Sequence, residues 1–210
     1  MMNQFDLEDI RDKLEDDLQK QVVSSRVLLD RLRLIDEDSR KTAAYLDPNY
    51  AGFYYHLGKY IKPQNVIEFG FNLGLLTGCL FASCKTVKTF LALNKTKEDF
   101  IASRIGRSNI KLRFKGESIY YCGSLFDRDF DKHVSKKSWD LIIINDEAGY
   151  DEHLQYLDFS WNCLGENGCI VSDYLNRHEP AKSAFVAFCE SKTRKPVFFK
   201  TRYGTGIVQK

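Results

Sequence analysis

Five short apolar runs rich in β-forming residues recur from Val66 onward, and none alternates regularly with polar positions. They are Val66-Ile67, Phe90-Leu91-Ala92-Leu93, Ile119-Tyr120-Tyr121-Cys122, Leu141-Ile142-Ile143-Ile144 and Cys169-Ile170-Val171. A strand with one wet face alternates, whereas a continuous run has both faces covered, so these segments predict a parallel sheet with helices on each side. The end of the chain differs. Val197-Phe198-Phe199-Lys200 and Gly206-Ile207-Val208 are separated only by a turn around Tyr203-Gly204-Thr205, which predicts an antiparallel hairpin.

Ahead of the sheet, Leu7, Ile10, Leu14, Leu18, Val22, Leu29 and Leu32 recur at helical spacing between Phe5 and about Ile35, so one or two amphipathic helices are expected. Acidic residues crowd the first half and Arg26, Arg31 and Arg33 follow later, which matches the helix dipole and describes a solvated face. The apolar stripe can pack on its own domain or on a second copy, and a homodimer through this helix is one expectation. Asp47-Pro48-Asn49 breaks the pattern, and Tyr50 to Ile61 resumes as an aromatic helix stopped by Pro63. The division is a helical extension over residues 1–45 and an α/β domain over 46–210.

Charge and composition exclude several partners. Thirty-one Lys and Arg against 29 Asp and Glu give +2, no global reason to bind nucleic acid or an anionic membrane. The basic stretch Arg104, Arg107, Lys111, Arg113, Lys115 reads as an ordinary solvated helix and edge strand. The acidic start lacks an apolar core, and Phe69 to Cys84 is too short and too rich in glycine to span a bilayer. The six cysteines form no CxxC pair, so reduced, mostly buried thiols in a cytoplasmic protein are expected.

The segment Glu68-Phe69-Gly70-Phe71-Asn72-Leu73-Gly74 stands where the first strand hands over to a helix. Gly70 permits a tight turn with close backbone approach to a ligand, and Gly74 lets the helix start near the sheet. Dinucleotide loops want GxGxxG; the GxxxG spacing here and the closing hairpin weigh against a nicotinamide enzyme. Glu68, Gly70 and Gly74 resemble motif I of the class I S-adenosylmethionine-dependent methyltransferases: an acidic residue, any residue, Gly, three residues, Gly. The resemblance runs from about Tyr45 to Lys210 and is closest to small-molecule and sugar O-methyltransferases. Trp139 to Asp146 looks like the family's fourth strand, and Leu164 to Tyr174 like its glycine turn, fifth strand and terminal acid.

The resemblance implies a Rossmann-like, mostly parallel sheet ending in an antiparallel hairpin, with S-adenosylmethionine as cofactor. Glu68, Gly70, Asn72 and Gly74 would hold its methionine end, Asn94 its ribose, Ser124 and Leu125 its adenine, and Asp146 would border it. Asn94 stands where the family has an acid, and it could instead cap the helix beginning near Thr96. Ser124 could be a turn residue. Metal-dependent relatives hold magnesium through the fourth-strand Asp and two adjacent fifth-strand residues. Here Asp146 and Asp173 remain but Tyr174 fills the third place, a poor ligand, which disfavours magnesium.

Methyl transfer needs a nucleophile relieved of its proton. The catalytic candidates are Asp146, Asp173, His153 and His178, with Tyr174 beside them, because they follow strand ends, where open α/β sheets bind ligands. Asp146 and Asp173 are expected to face one another across the pocket. Ala148 removes an acidic base seen in some relatives. The expected function is O-methylation of a small-molecule or saccharide-like hydroxyl, and the alternative is a fold that has lost catalysis and serves as a binding or scaffold module.

Overall fold

The structure, a computed structural model, describes residues 6–20, 24–34, 39–41, 45, 47, 49–111 and 113–210. Phe5, Val22 and Ile35 of the expected stripe and Pro48 of the break lie outside them. Helix α1 (Leu7–Gln19) starts where the Asp6 carboxylate accepts the Glu8 N–H at 2.8 Å, and α2 is Ser25–Arg31. Leu7, Ile10, Leu14 and Leu29 are buried in one cluster with the aromatic helix α3 (Tyr50–Ile61) and with α4 (Leu75–Ser83). These stripe residues pack on the chain's own domain.

The strands are β1 (Asn65–Phe69), β2 (Thr89–Asn94), β3 (Glu117–Cys122), β4 (Trp139–Ile144), β5 (Leu164–Ser172), β6 (Val197–Phe199) and β7 (Thr205–Gln209). They form one sheet in the order β3-β2-β1-β4-β5-β7-β6. The first five pair in parallel, and β7 runs antiparallel to both β5 and β6, as the hairpin signal requires. Between strands lie α4, α5 (Lys97–Lys111), α6 (Arg128–Val134), α7 (Tyr150–Cys163) and α8 (Glu179–Ser191).

The uninterrupted apolar runs have a direct cause. Successive side chains of a strand point to opposite faces, and here both faces are covered. Val66, Phe90, Ala92, Leu141, Ile143 and Val171 pack toward α1, α3 and α4, while Ile67, Leu91, Ile142, Ile144 and Ile170 pack toward α6, α7 and α8. Apart from Ala92, each such side chain contributes roughly 1.5–3 kcal/mol by leaving water. The register pairs Phe69 with both Leu93 and Ile144, and Ile144 with Ser172, so the C-terminal ends of β1, β2, β4 and β5 finish level. The chain reverses direction of winding between β1 and β4, the position where open sheets leave a crevice. Among the described residues no helix is long and apolar enough to cross a membrane.

Candidate functional site

Three left-handed residues shape the loop leaving β1: Gly70 (φ 76°), Asn72 (φ 44°) and Gly74 (φ 63°). A Cβ on Gly70 would lie 2.1 Å from the Asn145 carbonyl oxygen, and one on Gly74 would lie 2.6 Å from the Phe71 ring and 2.9 Å from Gly106 Cα. Both glycines are therefore demanded by close backbone and ring packing as well as by φ. The loop is tied down on each side: the Gly70 N–H donates to Leu93 O at 2.9 Å, and the Asn145 amide donates to Gly70 O at 3.0 Å. Gly74 is the N-cap of α4 and provides no side-chain cap, so no cap side chain takes the first N–H groups of that helix, the end that favours an anion.

Beneath the loop, Glu68 is fully buried. Its Oε2 accepts from the Thr77 hydroxyl, while Oε1 has no partner. Burial pushes its pKa up to about 8, with Thr77 and Asn145 pulling the other way. Asn94 ends β2, buried, with Oδ1 accepting the Asn72 N–H at 3.1 Å and Nδ2 unpartnered. The cap of α5 is Thr96, whose hydroxyl accepts the Asp99 N–H at 3.1 Å. That corrects the capping alternative for Asn94.

Two cavities open at the strand ends and share Lys95 in their walls. One of about 210 Å³ is lined by Gly70, Asn72, Asn94, Lys95, Asp99, Asn145, Asp146, Glu147 and Tyr174. The other, about 380 Å³, is bounded by Lys95, Ser124, Leu125, Phe126, Glu152 and Tyr156. A larger cavity of about 580 Å³ lies elsewhere, among Asp6 to Glu8, Arg194, Lys195 and the hairpin, and gathers none of the expected site residues. Lys95 is the feature that sequence reading missed. Its Nζ lies 2.7 Å from both Asp146 Oδ2 and Glu152 Oε1 and 5.1 Å from the Tyr156 ring centre, and the Tyr156 hydroxyl donates to Asp146 Oδ2 at 3.1 Å. Burial lowers the Lys95 pKa, but the two carboxylate hydrogen bonds outweigh it and the net shift is upward.

At the β3 turn, Ser124 serves the turn itself: its hydroxyl accepts the Phe126 N–H at 3.2 Å and its own N–H donates to Asp127 at 2.9 Å. Leu125 borders the cavity but is mostly buried in the core, whereas Phe126 is 68% exposed at the rim. The apolar wall thus includes a residue next to the expected one.

Asp173 lines neither of the two cavities at the strand ends, whereas Asp146 lines the smaller. Asp173 is buried, with Oδ2 accepting from the Tyr50 hydroxyl at 2.9 Å and from Tyr54, and Oδ1 accepting from Thr205. Burial raises its pKa to about 6 against the pull of those three hydroxyls. Asp146 instead answers to Lys95 and Tyr156, so the two carboxylates share no partner. The physical reason is the aromatic helix α3, which turns two hydroxyls onto Asp173. Among the described residues no group of three or more His, Cys, Asp or Glu is arranged around a metal position.

His153 is also corrected: it is buried, bonded through Nε2 to Ser172 Oγ at 2.9 Å, and lines neither cavity. Burial and the nearby His178 and Lys95 lower its pKa to about 4, so it stays neutral at pH 7. His178 is the N-cap of α8 with Nδ1 buried and unpartnered, and it lines neither of these cavities. Tyr174 does line the smaller cavity, held at φ 64° with its ring stacked 5.3 Å from Tyr203. Burial lifts its phenol to about 12. Arg107 departs from the solvated reading, since its guanidinium lies 4.3 Å from the Phe100 ring centre and 4.6 Å from that of Tyr120.

No family model matches the sequence, and no curated protein does. Solved structures match closely in shape. An O-methyltransferase from Bacillus cereus in complex with S-adenosylhomocysteine superposes with a TM-score of 0.66 at 15% identity, covering 96% of this chain and 100% of that one. An S-adenosylhomocysteine-bound methyltransferase from Podospora anserina gives 0.62 at 14% identity over 99% and 97% of the two chains. A tomaymycin-synthesis O-methyltransferase from Streptomyces achromogenes, in complex with S-adenosylmethionine, gives 0.63 at 10% identity over 93% and 95%. The chain has the class I methyltransferase fold.

Proposed function

We propose that the chain binds S-adenosylmethionine across the ends of β1, β2 and β3 and directs its methyl group to a hydroxyl of a small molecule, saccharide-like molecules included. The observation that carries this reading is a pair of buried polar atoms without partners, Glu68 Oε1 and Asn94 Nδ2, flanking a left-handed loop whose Gly70 leaves no room for a Cβ. An unpaired buried polar atom costs about 1–3 kcal/mol, so a ligand that satisfies both is favoured. S-adenosylmethionine fits these residues: Glu68 takes its ammonium, the open N–H groups of α4 take its carboxylate, and Phe126 covers its adenine at the Ser124 turn.

When bound, that cofactor supplies an electrophilic methyl on a sulfonium sulfur. On transfer the bonding electron pair would stay with sulfur and the acceptor oxygen would take the methyl. Glu147, on the cavity wall, is the carboxylate we assign to receive the hydroxyl proton. His153 has no part in this, because its ring is buried and neutral.

The test is to incubate the purified protein with S-adenosylmethionine and a panel of hydroxylated small molecules, sugars among them, and to measure S-adenosylhomocysteine by mass spectrometry. Acceptor-dependent formation is expected. A second reading, a cofactor-binding module without catalysis, is favoured by one observation: Asp173, at the end of β5, is fully engaged by three hydroxyls. Tight S-adenosylhomocysteine binding with no turnover across the panel would establish that reading instead.

A further inference from the structure

We infer that Asp146, held by Lys95, receives the ribose hydroxyls of the bound cofactor in place of the residue that ends β2. The inference rests on the cofactor reading above and concerns one part of that ligand. A vicinal diol has two protons to donate, so its site must present acceptors. Asn94 has a single side-chain oxygen, and the Asn72 N–H already occupies it at 3.1 Å. Turning the amide over would aim its NH₂ group at that N–H donor. What Asn94 presents is therefore Nδ2, a donor, which leaves the protons of the diol unanswered.

The acceptor lies at the junction of the two cavities. Lys95 belongs to both walls, and a ligand with methionine at the glycine loop and adenine at the Ser124 turn sets its middle, the sugar, beside Lys95. There Nζ bridges Asp146 Oδ2 and Glu152 Oε1 at 2.7 Å each, and the Tyr156 hydroxyl joins the same Oδ2 at 3.1 Å. Both contacts fall on Oδ2, which leaves Oδ1 to accept. A carboxylate already fixed by an ammonium and a phenol needs little further ordering when a ligand arrives. Asp99 shares the smaller cavity, with Oδ2 accepting the Thr96 hydroxyl in the α5 cap at 2.7 Å, but it is not one of the carboxylates that Lys95 holds at the junction. Glu152 lines the other cavity and is half exposed.

Calorimetry with S-adenosylhomocysteine and its 2′,3′-dideoxy analogue isolates this contribution. The unmodified protein should prefer the diol by about 10- to 100-fold, the range of a charge-assisted hydrogen bond. Asp146→Asn should abolish the preference by weakening the diol ligand alone, with retained binding of the dideoxy analogue certifying the fold. Asp99→Asn should keep it. A preference that survives Asp146→Asn, or that disappears in Asp99→Asn, overturns the assignment. So does an Asp146→Asn protein that loses both ligands equally. Failure of the unmodified protein to bind either ligand overturns the cofactor reading itself, and binding without any diol preference overturns only this inference.

Discussion

A buried carboxyl waiting for a cation makes binding visible as a proton. Glu68 has one oxygen bonded to Thr77 and the other unpartnered, and burial raises its pKa to about 8. At pH 7 such a group is protonated in roughly nine molecules of ten. An ammonium placed against Oε1 favours the ionised form, because opposite charge offsets desolvation. Binding of S-adenosylhomocysteine should then release about 0.9 proton at pH 7, and its affinity should rise close to tenfold per pH unit between about pH 6 and 7 before flattening above 8. Titration calorimetry in two buffers of different ionisation enthalpy counts that proton directly. Glu68→Gln keeps the shape and removes the titration, so proton release should vanish and affinity should fall by about 1.5–3 kcal/mol. Tight binding without proton release, or release that persists in Glu68→Gln, would refute the reasoning.

The same group governs stability of the free protein. Its folded pKa of about 8 lies above the ordinary 4.5, so its contribution is complete below pH 4.5 and is lost as pH rises toward 8. Asp173, shifted from 3.8 to about 6, has the same sign over a lower window. His153, lowered from 6.5 to about 4, has the opposite sign and is settled above pH 6.5. From pH 6.5 to 8 Glu68 alone of the three acts, and urea unfolding should show a loss of roughly 2 kcal/mol that Glu68→Gln abolishes; a flat profile in the unmodified protein contradicts this. Gly70→Ala, forced to φ 76° with its Cβ 2.1 Å from a carbonyl oxygen, should cost at least about 2 kcal/mol and weaken S-adenosylhomocysteine at least tenfold; an unchanged urea midpoint would show that the loop does not have this form. Tyr54→Phe removes one of the three hydroxyls on Asp173 and should destabilise by about 1.5–3 kcal/mol at pH 8 and by less at pH 5. Equal losses at both would mean that the carboxyl is protonated throughout.

The sheet could be read from sequence because burial on both faces leaves a local mark: Ile142 and Ile143 point to different layers, yet both must be apolar. Glu68, Gly70 and Gly74 were legible for a similar reason, since their spacing reflects a turn made within one segment. Contacts between distant segments left no such mark. A charged residue at the end of β5 reads as functional, but Asp173 is claimed by hydroxyls 123, 119 and 32 positions away. Lys95 follows Asn94 directly, and only the fold brings it to Asp146 and Glu152. At the β3 turn the sequence could not tell which of Leu125 and Phe126 meets the cavity rim. One signal was available: Thr96 and Asp99 have the spacing of a helix cap, which points away from Asn94 as the capping residue.

Cofactor binding is tested most directly by calorimetric titration of the unmodified protein with S-adenosylhomocysteine, with NAD run in parallel. One site of micromolar affinity, roughly −8 kcal/mol, is predicted for S-adenosylhomocysteine, with no saturable heat from NAD. Absence of S-adenosylhomocysteine binding at millimolar concentration, or tighter binding of NAD, would contradict it.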